Sequence, residues 1–358
     1  MDKQLLDLYT DYLISSFSQT TATGISNALD GEISHDRFTR FLAKEDLGSK
    51  DLWKIVKPFV RKIESANGII AVDDTIEEKL YTDENDIISW HFDHALGRNV
   101  KGVNILNFLY HNDGVSFPVA FDVIKKTKEV LNPTTGKMVR KSEKTKNEIM
   151  REVLLSCVQD MRLVFSLVIA DTWFSSCENM TFIKETLKKD FIIPLKCNRK
   201  IALSALDKRR GRYTSIESII FKEDVPITAY LEGVLFPVLL LKQVFTNEDE
   251  SQGVLYLCSS DTACDAETLK ENYQKRWKIE EYHKSLKSNA GLAKSPTQTV
   301  RTQINHFFMA MVAFVKLEKL KIKTGLNHFA LKAKLYVRAL RSSMDELTQL
   351  KKLRVKAA

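Results

Sequence analysis

Two short apolar segments that each end in aspartate constrain the fold more than any other feature of this chain. They are GIIAVDD at residues 68–74 and LVFSLVIAD at residues 163–171. A short apolar run bounded by polar residues is typical of a buried strand, and functional side chains gather where the strands of an open α/β sheet end. The segments therefore predict two strands that present Asp74 and Asp171 at the edge of one sheet. An aspartate that only turns or caps the chain is the alternative at each position.

The segments around these two predict a mixed α/β sheet. Alternating apolar residues at 101–110 and 115–126, joined by the turn signal HNDG, would form a three-stranded meander with residues 68–74. A helical pattern at 144–161 precedes the second aspartate strand, and a helix at about 176–188 leads to another short strand, FIIPL. Strands followed by alternating helices and strands indicate a mixed sheet with helices packed on it.

Changes of pattern along the chain predict five segments. A helical N-terminal domain comes first, and a basic helical region comes last. Between them lie the α/β core, interrupted by β-like pieces with polar turns, and a helix that carries Glu280. The segments are the N-terminal domain at 1–65, the first part of the core at 66–195, the β-rich insertion at 196–260, the core helix at 261–290 and the C-terminal region at 291–358.

Composition excludes several classes of protein. A chain with 44% hydrophobic and 28% charged residues is an ordinary ordered globular protein. The longest apolar run, VLFPVLLL at 234–241, is far shorter than a transmembrane helix, and the start has no signal-peptide pattern. The five cysteines form no CxxC and no Cys/His pair at zinc spacing, which indicates a reducing compartment. We therefore expect a cytoplasmic protein with no membrane partner.

The distribution of positive charge favours nucleic acid as the partner. The net charge is +8, and residues 290–358 hold fourteen Lys and Arg against three acids. Two further basic runs lie at 125–146 and 196–212. A single run of this kind can be a solvated loop, but three runs in one chain predict contacts with a polyanion. Sequence-independent phosphate contacts are expected from Lys208, Arg209, Arg210 and Arg212.

The segment YQKRWKIEEYHKSLK at residues 273–287 predicts a helix with one polar stripe. The stripe consists of Tyr273, Arg276, Glu280 and Lys287, which fall within roughly 60° of the circumference at about 100° per residue. Apolar residues on another side have the spacing of a face packed on a core. The helix is expected to begin near the N-cap Asp265 and to end near 289–291. A stripe that only faces solvent is the alternative.

Three carboxylates at distant positions predict a metal site. The sheet supplies Asp74 and Asp171, and the helix supplies Glu280. Such a cluster can hold two Mg²⁺ ions about 4 Å apart, and without cations its members would repel one another. Oxygen-only ligation selects Mg²⁺, with Mn²⁺ as a substitute, over zinc.

These motifs together resemble the DDE transposases of bacterial insertion sequences, specifically the insertion-sequence-four family with its Y-R-E-K signature. The resemblance covers about residues 65–290. It rests on VDDT at 72–75, IADTWFSS at 169–176 and the spacing of Tyr273, Arg276, Glu280 and Lys287. It implies an RNase H-like core with a β-rich insertion between the second aspartate and the glutamate, flanked by helical N- and C-terminal regions.

The resemblance also implies the roles of individual residues. Asp74, Asp171 and Glu280 would be the catalytic metal ligands. Asp74 is chosen over Asp73 because related sequences place the ligand second in an acid-Asp-Thr motif, and Asp73 would then lie behind the ligands or face solvent. Tyr273, Arg276 and Lys287 would grip phosphates beside the scissile bond.

The implied activity is cleavage at insertion-sequence ends followed by strand transfer into target DNA. The partners would be double-stranded DNA, both terminal inverted repeats and target, bound by a homodimer with the N-terminal domain reading the ends. The protein would be bacterial and nucleoid-associated. A stand-alone metal-dependent nuclease and a transposase-derived DNA-binding protein without catalysis are the alternatives. The presence of all three acids argues against the second.

Overall fold

The computed structural model describes residues 1–93, 96–131, 133, 136–246 and 250–352. The chain forms two units. The N/C unit combines Met1–Leu52 with Tyr282–Ala358, and the sheet unit is Trp53–Glu281. The last six residues of the predicted basic C-terminal region, 353–358, lie outside the described part of the chain. The predicted N-terminal boundary at residue 65 stays a prediction, since the first part of the N/C unit ends at Leu52.

Eleven α-helices are present in the described residues. They are α1 (Lys3–Ser15), α2 (Ala22–Ala28), α3 (His35–Lys44), α4 (Ser49–Ile63), α5 (Lys146–Gln159), α6 (Cys177–Thr181), α7 (Ala205–Arg209), α8 (Ala266–Gln274), α9 (Trp277–Ser288), α10 (Val300–Thr324) and α11 (His328–Lys352). None of these helices, taken over the residues the structure describes, is long and apolar enough to cross a membrane.

Thirteen strands are present in the same residues, all of them within the sheet unit. They are β1 (Ile69–Glu78), β2 (Ile88–Asp93), β3 (Arg98–Asn112), β4 (Val115–Val123), β5 (Lys128–Leu131), β6 (Met138–Lys141), β7 (Leu167–Ala170), β8 (Asp190–Leu195), β9 (Lys200–Ala202), β10 (Thr214–Ser215), β11 (Ile227–Leu231), β12 (Val238–Thr246) and β13 (Gln252–Ser259). Strands β5 and β6 form a separate two-stranded ribbon.

The other eleven strands form one mixed sheet, which confirms the predicted α/β class. Its central order is β4-β3-β1-β7-β8, in which β1, β3 and β4 are antiparallel neighbours and β1, β7 and β8 are parallel ones. The predicted meander is therefore present. Its HNDG turn places Asp113 at φ 47° and Gly114 at φ 75°, the left-handed pair that a two-residue hairpin needs.

The β-rich segment extends this sheet outward from β8. Strand β13 pairs antiparallel with β8, and β12, β11, β9 and β10 follow in that order. Strands β11, β12 and β13 lie at the predicted β-like pieces, whereas the piece SIESIIF at 215–221 contributes only Ser215 to a strand and contains the short 3₁₀ turn Ile216–Ser218. Its Ile216 is fully buried while Ile220 is fully exposed, so the apolar residues of this piece do not share one face.

The N/C unit is built around α10. Its middle section is apolar on nearly all sides and is buried from Phe307 to Val315, as expected of a central helix. Polar contacts join it to the N-terminal helices: the Tyr9 hydroxyl lies 3.1 Å from His306 Nδ1, and the Asn305 amide donates to the Leu42 carbonyl at 2.7 Å. The first three helices are thus one folding unit with the C-terminal helices.

Candidate active site

Strands β1 and β7 bring two of the acids together. The parallel register pairs Ala71 with Ile169 and Val72 with Ala170, so the next positions are Asp73 and Asp171. Side chains alternate between the two faces of a sheet, which puts Asp73 on the face of Ala71. Asp171 then begins the 3₁₀ turn Thr172–Phe174 and accepts a hydrogen bond from the Trp173 amide at 3.0 Å.

Helix α8 packs on this same face and leads to Glu280. Its Leu269 belongs to the buried cluster formed by Ile69 and Ile169, and Tyr273 packs against that cluster. Glu280, in the first turn of α9, offers a carboxylate oxygen within 4.8 Å of one from Asp73. The predicted N-cap is confirmed, because Asp265 accepts a hydrogen bond from the Thr268 amide at 2.8 Å.

The predicted single helix is in fact two helices. Between α8 and α9 the backbone tightens: the Arg276 amide bonds to the Tyr273 carbonyl, and the Ile279 amide bonds to the Arg276 carbonyl. Bonds spanning three residues shorten the repeat relative to the α-helix. The calculated stripe therefore does not run straight from Tyr273 to Lys287. Glu280 and Lys287 still share α9, seven residues apart.

The carboxylates oppose one another's ionisation. Burial raises the pKa of Asp73 well above its usual range. The negative charges of Asp171, Asp74 and Glu280 act in the same direction. Burial also raises the pKa of Asp171, with the charge of Asp74 as the next cause. Mutual repulsion of this kind is the electrostatic environment that a bound cation would relieve.

Asp74 has a different environment from Asp73. Lys146, the first residue of α5, lies 2.7 Å from Asp74 Oδ1, and the Asn104 amide donates to Asp74 Oδ2 at 2.6 Å. Both oxygens of Asp74 are thus held by this chain, while Asp73 faces Glu280. The family motif selects Asp74 as the ligand. The geometry favours Asp73, because successive residues of a strand point to opposite faces and Glu280 lies on the face of Asp73.

Arg276 is held beside the acids. Its guanidinium pairs with Glu280 at 3.0 Å and lies 5.8 Å from the ring centre of Tyr273 and 5.2 Å from that of Trp277. The Arg276 side chain is 16% exposed, and within the described residues its buried Nε has no hydrogen-bond partner. A guanidinium with an open donor next to carboxylates can donate to a phosphate oxygen.

Three residues near the acids are not among the predicted site residues: Asn104, Lys146 and Trp173, although Lys146 ends the basic run at 125–146 and Trp173 lies in IADTWFSS. Lys146 Nζ lies 4.7 Å from the ring centre of Trp173, which is 47% exposed. The motif T-x-x-E at Thr145–Glu148 marks the start of α5, and its capping box is formed. That motif locates Lys146 at a helix N-terminus, but only the packing of α5 reveals that it reaches Asp74.

The four cations of the insertion that are expected to contact phosphates are only partly available for DNA. They are Lys208, Arg209, Arg210 and Arg212. Lys208 donates to the carbonyls of Val234 at 3.1 Å and Leu235 at 2.6 Å, so its ammonium group holds the local fold. Arg209, Arg210 and Arg212 are exposed at and just after the end of α7.

The comparisons with known families agree with this geometry. The chain matches the family described as DDE superfamily endonuclease over residues 2–215 and the transposase DDE domain family over residues 130–315. Each match covers more than half of the chain, which therefore belongs to the DDE superfamily of endonucleases and transposases. Proteins with these domains act on DNA and generally use divalent metal ions. A search of curated proteins found no match.

Proposed function

We propose that this protein is a transposase of the insertion-sequence-four family that cuts the ends of its element and joins them to target DNA. The observation that carries the proposal is the convergence of Asp73, Asp171 and Glu280 on one face of the sheet. The middle of strand β1, the end of strand β7 and helix α9 supply these acids from three distant parts of the chain. The central strand order β4-β3-β1-β7-β8 supports an RNase H-like core, and the Y-R-E-K spacing supports the family.

The donor set fits hard divalent cations. Carboxylate oxygens are the ligands that Mg²⁺ and Mn²⁺ prefer. Burial, followed by the negative charges of Asp171, Asp74 and Glu280, raises the pKa of Asp73. Asp73, Asp171 and Glu280 would hold the metal. When bound, a pair of such ions would activate water or a DNA 3′-hydroxyl and stabilise the leaving oxygen of an in-line phosphodiester displacement.

The other residues would position the DNA. Arg276 would exchange its contact with Glu280 for a phosphate oxygen, using its free Nε as well. Tyr273 would donate its hydroxyl, and Lys287 would add a point charge farther along α9. Lys146 would hold Asp74 away from the ligands. Its place beside the exposed ring of Trp173 lets both side chains border the bound strand.

The remaining charged regions would bind DNA without reading its sequence. Arg209, Arg210 and Arg212 would contact phosphates, with Lys208 supporting them through its backbone contacts. End recognition would depend on the N-terminal helices, which hold nine cations against ten acids through Ser65 and therefore attract DNA little by charge alone.

The test is a strand-transfer assay with the element's own terminal repeats. Purified protein is incubated with a labelled terminal duplex and a target plasmid in Mg²⁺, in Mn²⁺ or in EDTA. A transposase gives joined products that depend on the divalent ion. Cleavage without joining would identify a stand-alone nuclease, and binding without cleavage would identify a DNA-binding protein that has lost catalysis.

A further inference from the structure

Strands β5 and β6 form a ribbon that contributes no face to the core. In the described part of the chain they pair only with each other, outside the main sheet. All four residues of β5 are exposed, and none of the four residues of β6 is buried. A two-stranded ribbon of this kind is at best marginally stable by itself in water. The ribbon therefore adds little to the stability of the sheet unit, and its side chains are available for an interaction.

The two faces of the ribbon differ in charge. The register pairs Lys128 with Lys141, and the next pair is Glu129 with Arg140. Side chains alternate between the faces of a strand. One face therefore carries both lysines, directly opposite each other. The other face carries an ion pair, in which Arg140 Nε lies 3.9 Å from Glu129 Oε1. We call the face with Lys128 and Lys141 the lysine face.

The lysine face has no counter-charge of its own. The run 125–146 contains eight cations and two acids. Of these acids, Glu129 pairs with Arg140 on the other face, and Glu143 accepts a hydrogen bond from the Thr127 hydroxyl at 3.4 Å. Within the described residues the two lysines of the face form no ion pair. Like charges directly opposite each other destabilise a strand pair, so an anion bound between the lysines would stabilise the ribbon.

The ribbon begins and ends beside the acid cluster. Lys126, two residues before β5, donates to the Trp90 carbonyl at 2.6 Å, and Lys146, five residues after β6, lies 2.7 Å from Asp74 Oδ1. Burial lowers the pKa of Lys126, and the positive charge of Lys146 acts in the same direction, which indicates that the two ends are close. Five residues span at most roughly 17 Å. Lys141 therefore lies within the length of about five base pairs from Lys146.

We propose that the lysine face binds the phosphate backbone of duplex DNA beside the bond that is cut. The inference rests on the proposed function for the nature of its partner. A lysine ammonium is a point charge that suits a phosphate, and phosphate contacts position a duplex without reading its sequence. The other residues of the face, Val130 and Val139, have side chains that cannot hydrogen-bond to base edges. The ribbon thus holds DNA of any sequence against the acid cluster.

The first test is binding of the full chain to terminal and random duplexes across a salt series. It is done in EDTA, in which a metal-dependent enzyme does not cut. The variant Lys128→Gln/Lys141→Gln should lower the slope of log affinity against log salt by up to about 1.8 for both duplexes, because two phosphates are no longer neutralised. An increase in salt of about fourfold should therefore weaken binding by the wild type up to about twelvefold more than binding by the variant.

The matched control is Lys62→Gln/Lys188→Gln, which removes the same charge at two exposed positions of the sheet unit. It should change the slope by less than about 0.3, because screened charges distant from the DNA contribute little. Equal slopes for the wild type and the ribbon variant, or equal effects of the two variants, would overturn the proposal. A loss of affinity for the terminal repeat alone would also overturn it. Because the measurement needs no chemistry, its result does not depend on whether the protein cuts or joins DNA.

The second test uses unmutated protein and therefore does not depend on any variant folding. The full chain is treated with a limiting amount of an acetylating reagent, with and without a terminal duplex, and the modified lysines are identified by mass spectrometry. Lys128 and Lys141 should lose reactivity when DNA is bound, whereas Lys62 and Lys188 should keep it. Unchanged reactivity of the lysine face would overturn the proposal. Protection by polyglutamate and not by DNA would also overturn it and would identify an acidic protein as the partner.

Discussion

The two faces of strand β1 have different electrostatic surroundings, although the acids they carry, Asp73 and Asp74, are neighbours in the chain. On one side, Asp73 faces Glu280 and Asp171, and burial among these negative charges raises its pKa. On the other side, Asp74 is held by the Lys146 ammonium and the Asn104 amide. The first side gathers three carboxylates, of which Glu280 pairs with Arg276, whereas on the second side the one carboxylate of Asp74 pairs with Lys146. An excess of one charge at a buried site is the feature that distinguishes a candidate ion site from a structural ion pair.

The largest expected effects come from Asp171 and Glu280, the two acids outside the adjacent pair Asp73 and Asp74. Asp171→Asn and Glu280→Gln should each lower the rate of Mg²⁺-dependent cutting by more than about 100-fold, since each removes a ligand. DNA affinity should stay within about threefold of wild type, because removing a carboxylate lessens repulsion of phosphate. Cutting rates and filter-binding affinities measure the two effects separately. Full activity of either variant would exclude that residue as a ligand.

The choice between the two sides of β1 is tested by a matched pair of substitutions. Asp73→Asn should lower cutting by more than about 100-fold, whereas Asp74→Asn should lower it by about tenfold or less, as is usual for a residue that supports ligands from behind. Both variants carry the same chemical change at adjacent positions, so each is the control for the other. An inactive Asp74 variant beside an active Asp73 variant would restore the choice that the family motif favours.

Substitution of Lys146 tests whether the residues around Asp74 support the acid cluster. Lys146→Ala should lower cutting by about tenfold, because Asp74 loses the cation that holds it and is free to turn. Lys144→Ala is the matched control, since Lys144 is exposed and pairs only with Glu152 in the described residues. Thermal unfolding of both variants measures stability separately from cutting, because the Lys146–Asp74 pair is mostly buried whereas the Lys144–Glu152 pair is exposed. Equal activities of the two variants would remove Lys146 from the site.

The cationic surroundings of β2 give a pH-dependent prediction. Burial lowers the pKa of His91 to about 3, and the charges of Lys126 and Lys146 act in the same direction. The unfolded chain protonates this residue near pH 6.5 and the folded chain does not, so the contribution of His91 is fully present above pH 6.5 and is lost as the pH falls toward 3. The loss reaches about 1.4 kcal/mol per pH unit.

Urea unfolding of wild type and His91→Gln at several pH values between 7 and 4.5 measures this effect. The stability difference between the two proteins should shrink as the pH falls, because the variant has no group that titrates at this position. His35→Gln, at an exposed position in the first turn of α3, is the control for a general effect of losing a histidine. A difference that does not change with pH would show that His91 is accessible to protons in the folded protein.

The smallest expected effect lies outside the acid cluster, in the insertion. Replacing Arg209, Arg210 and Arg212 with Ala should weaken binding to terminal and random DNA alike. The slope of log affinity against log salt should fall by up to about 0.9 for each phosphate that the variant no longer neutralises. Lys208→Ala should lower stability instead, since Lys208 holds backbone carbonyls. An unchanged salt slope with a selective loss of affinity for the repeat would assign sequence reading to the arginines.

Local sequence patterns were sufficient to predict most of the strands and helices of the α/β core. The apolar runs, the HNDG turn and the helical pattern at 144–161 located β1, β3, β4, α5 and β8 to within a few residues, because each signal acts over neighbouring positions. The predicted end of the first strand at Asp74 was wrong, because β1 stays paired with β3 as far as Glu78. The strands β2, β5 and β6 were not predicted. The ribbon β5–β6 has mostly exposed residues, and without a buried face it leaves little periodic signal in the sequence.

The sequence by itself determined the mixed α/β class and the surplus of cations that indicates DNA, and it predicted acids from three distant segments of the chain. Only the tertiary structure decided which of two adjacent aspartates faces the glutamate, where the helix that leads to Glu280 breaks and which cation reaches Asp74. The physical reason lies in the geometry of a strand, whose adjacent side chains point to opposite faces. This alternation does not say which face holds which partner. The packing of α8 on one face and of α5 near Asp74 decides which residues each aspartate contacts. Those contacts join residues many tens of positions apart, and no local pattern encodes them.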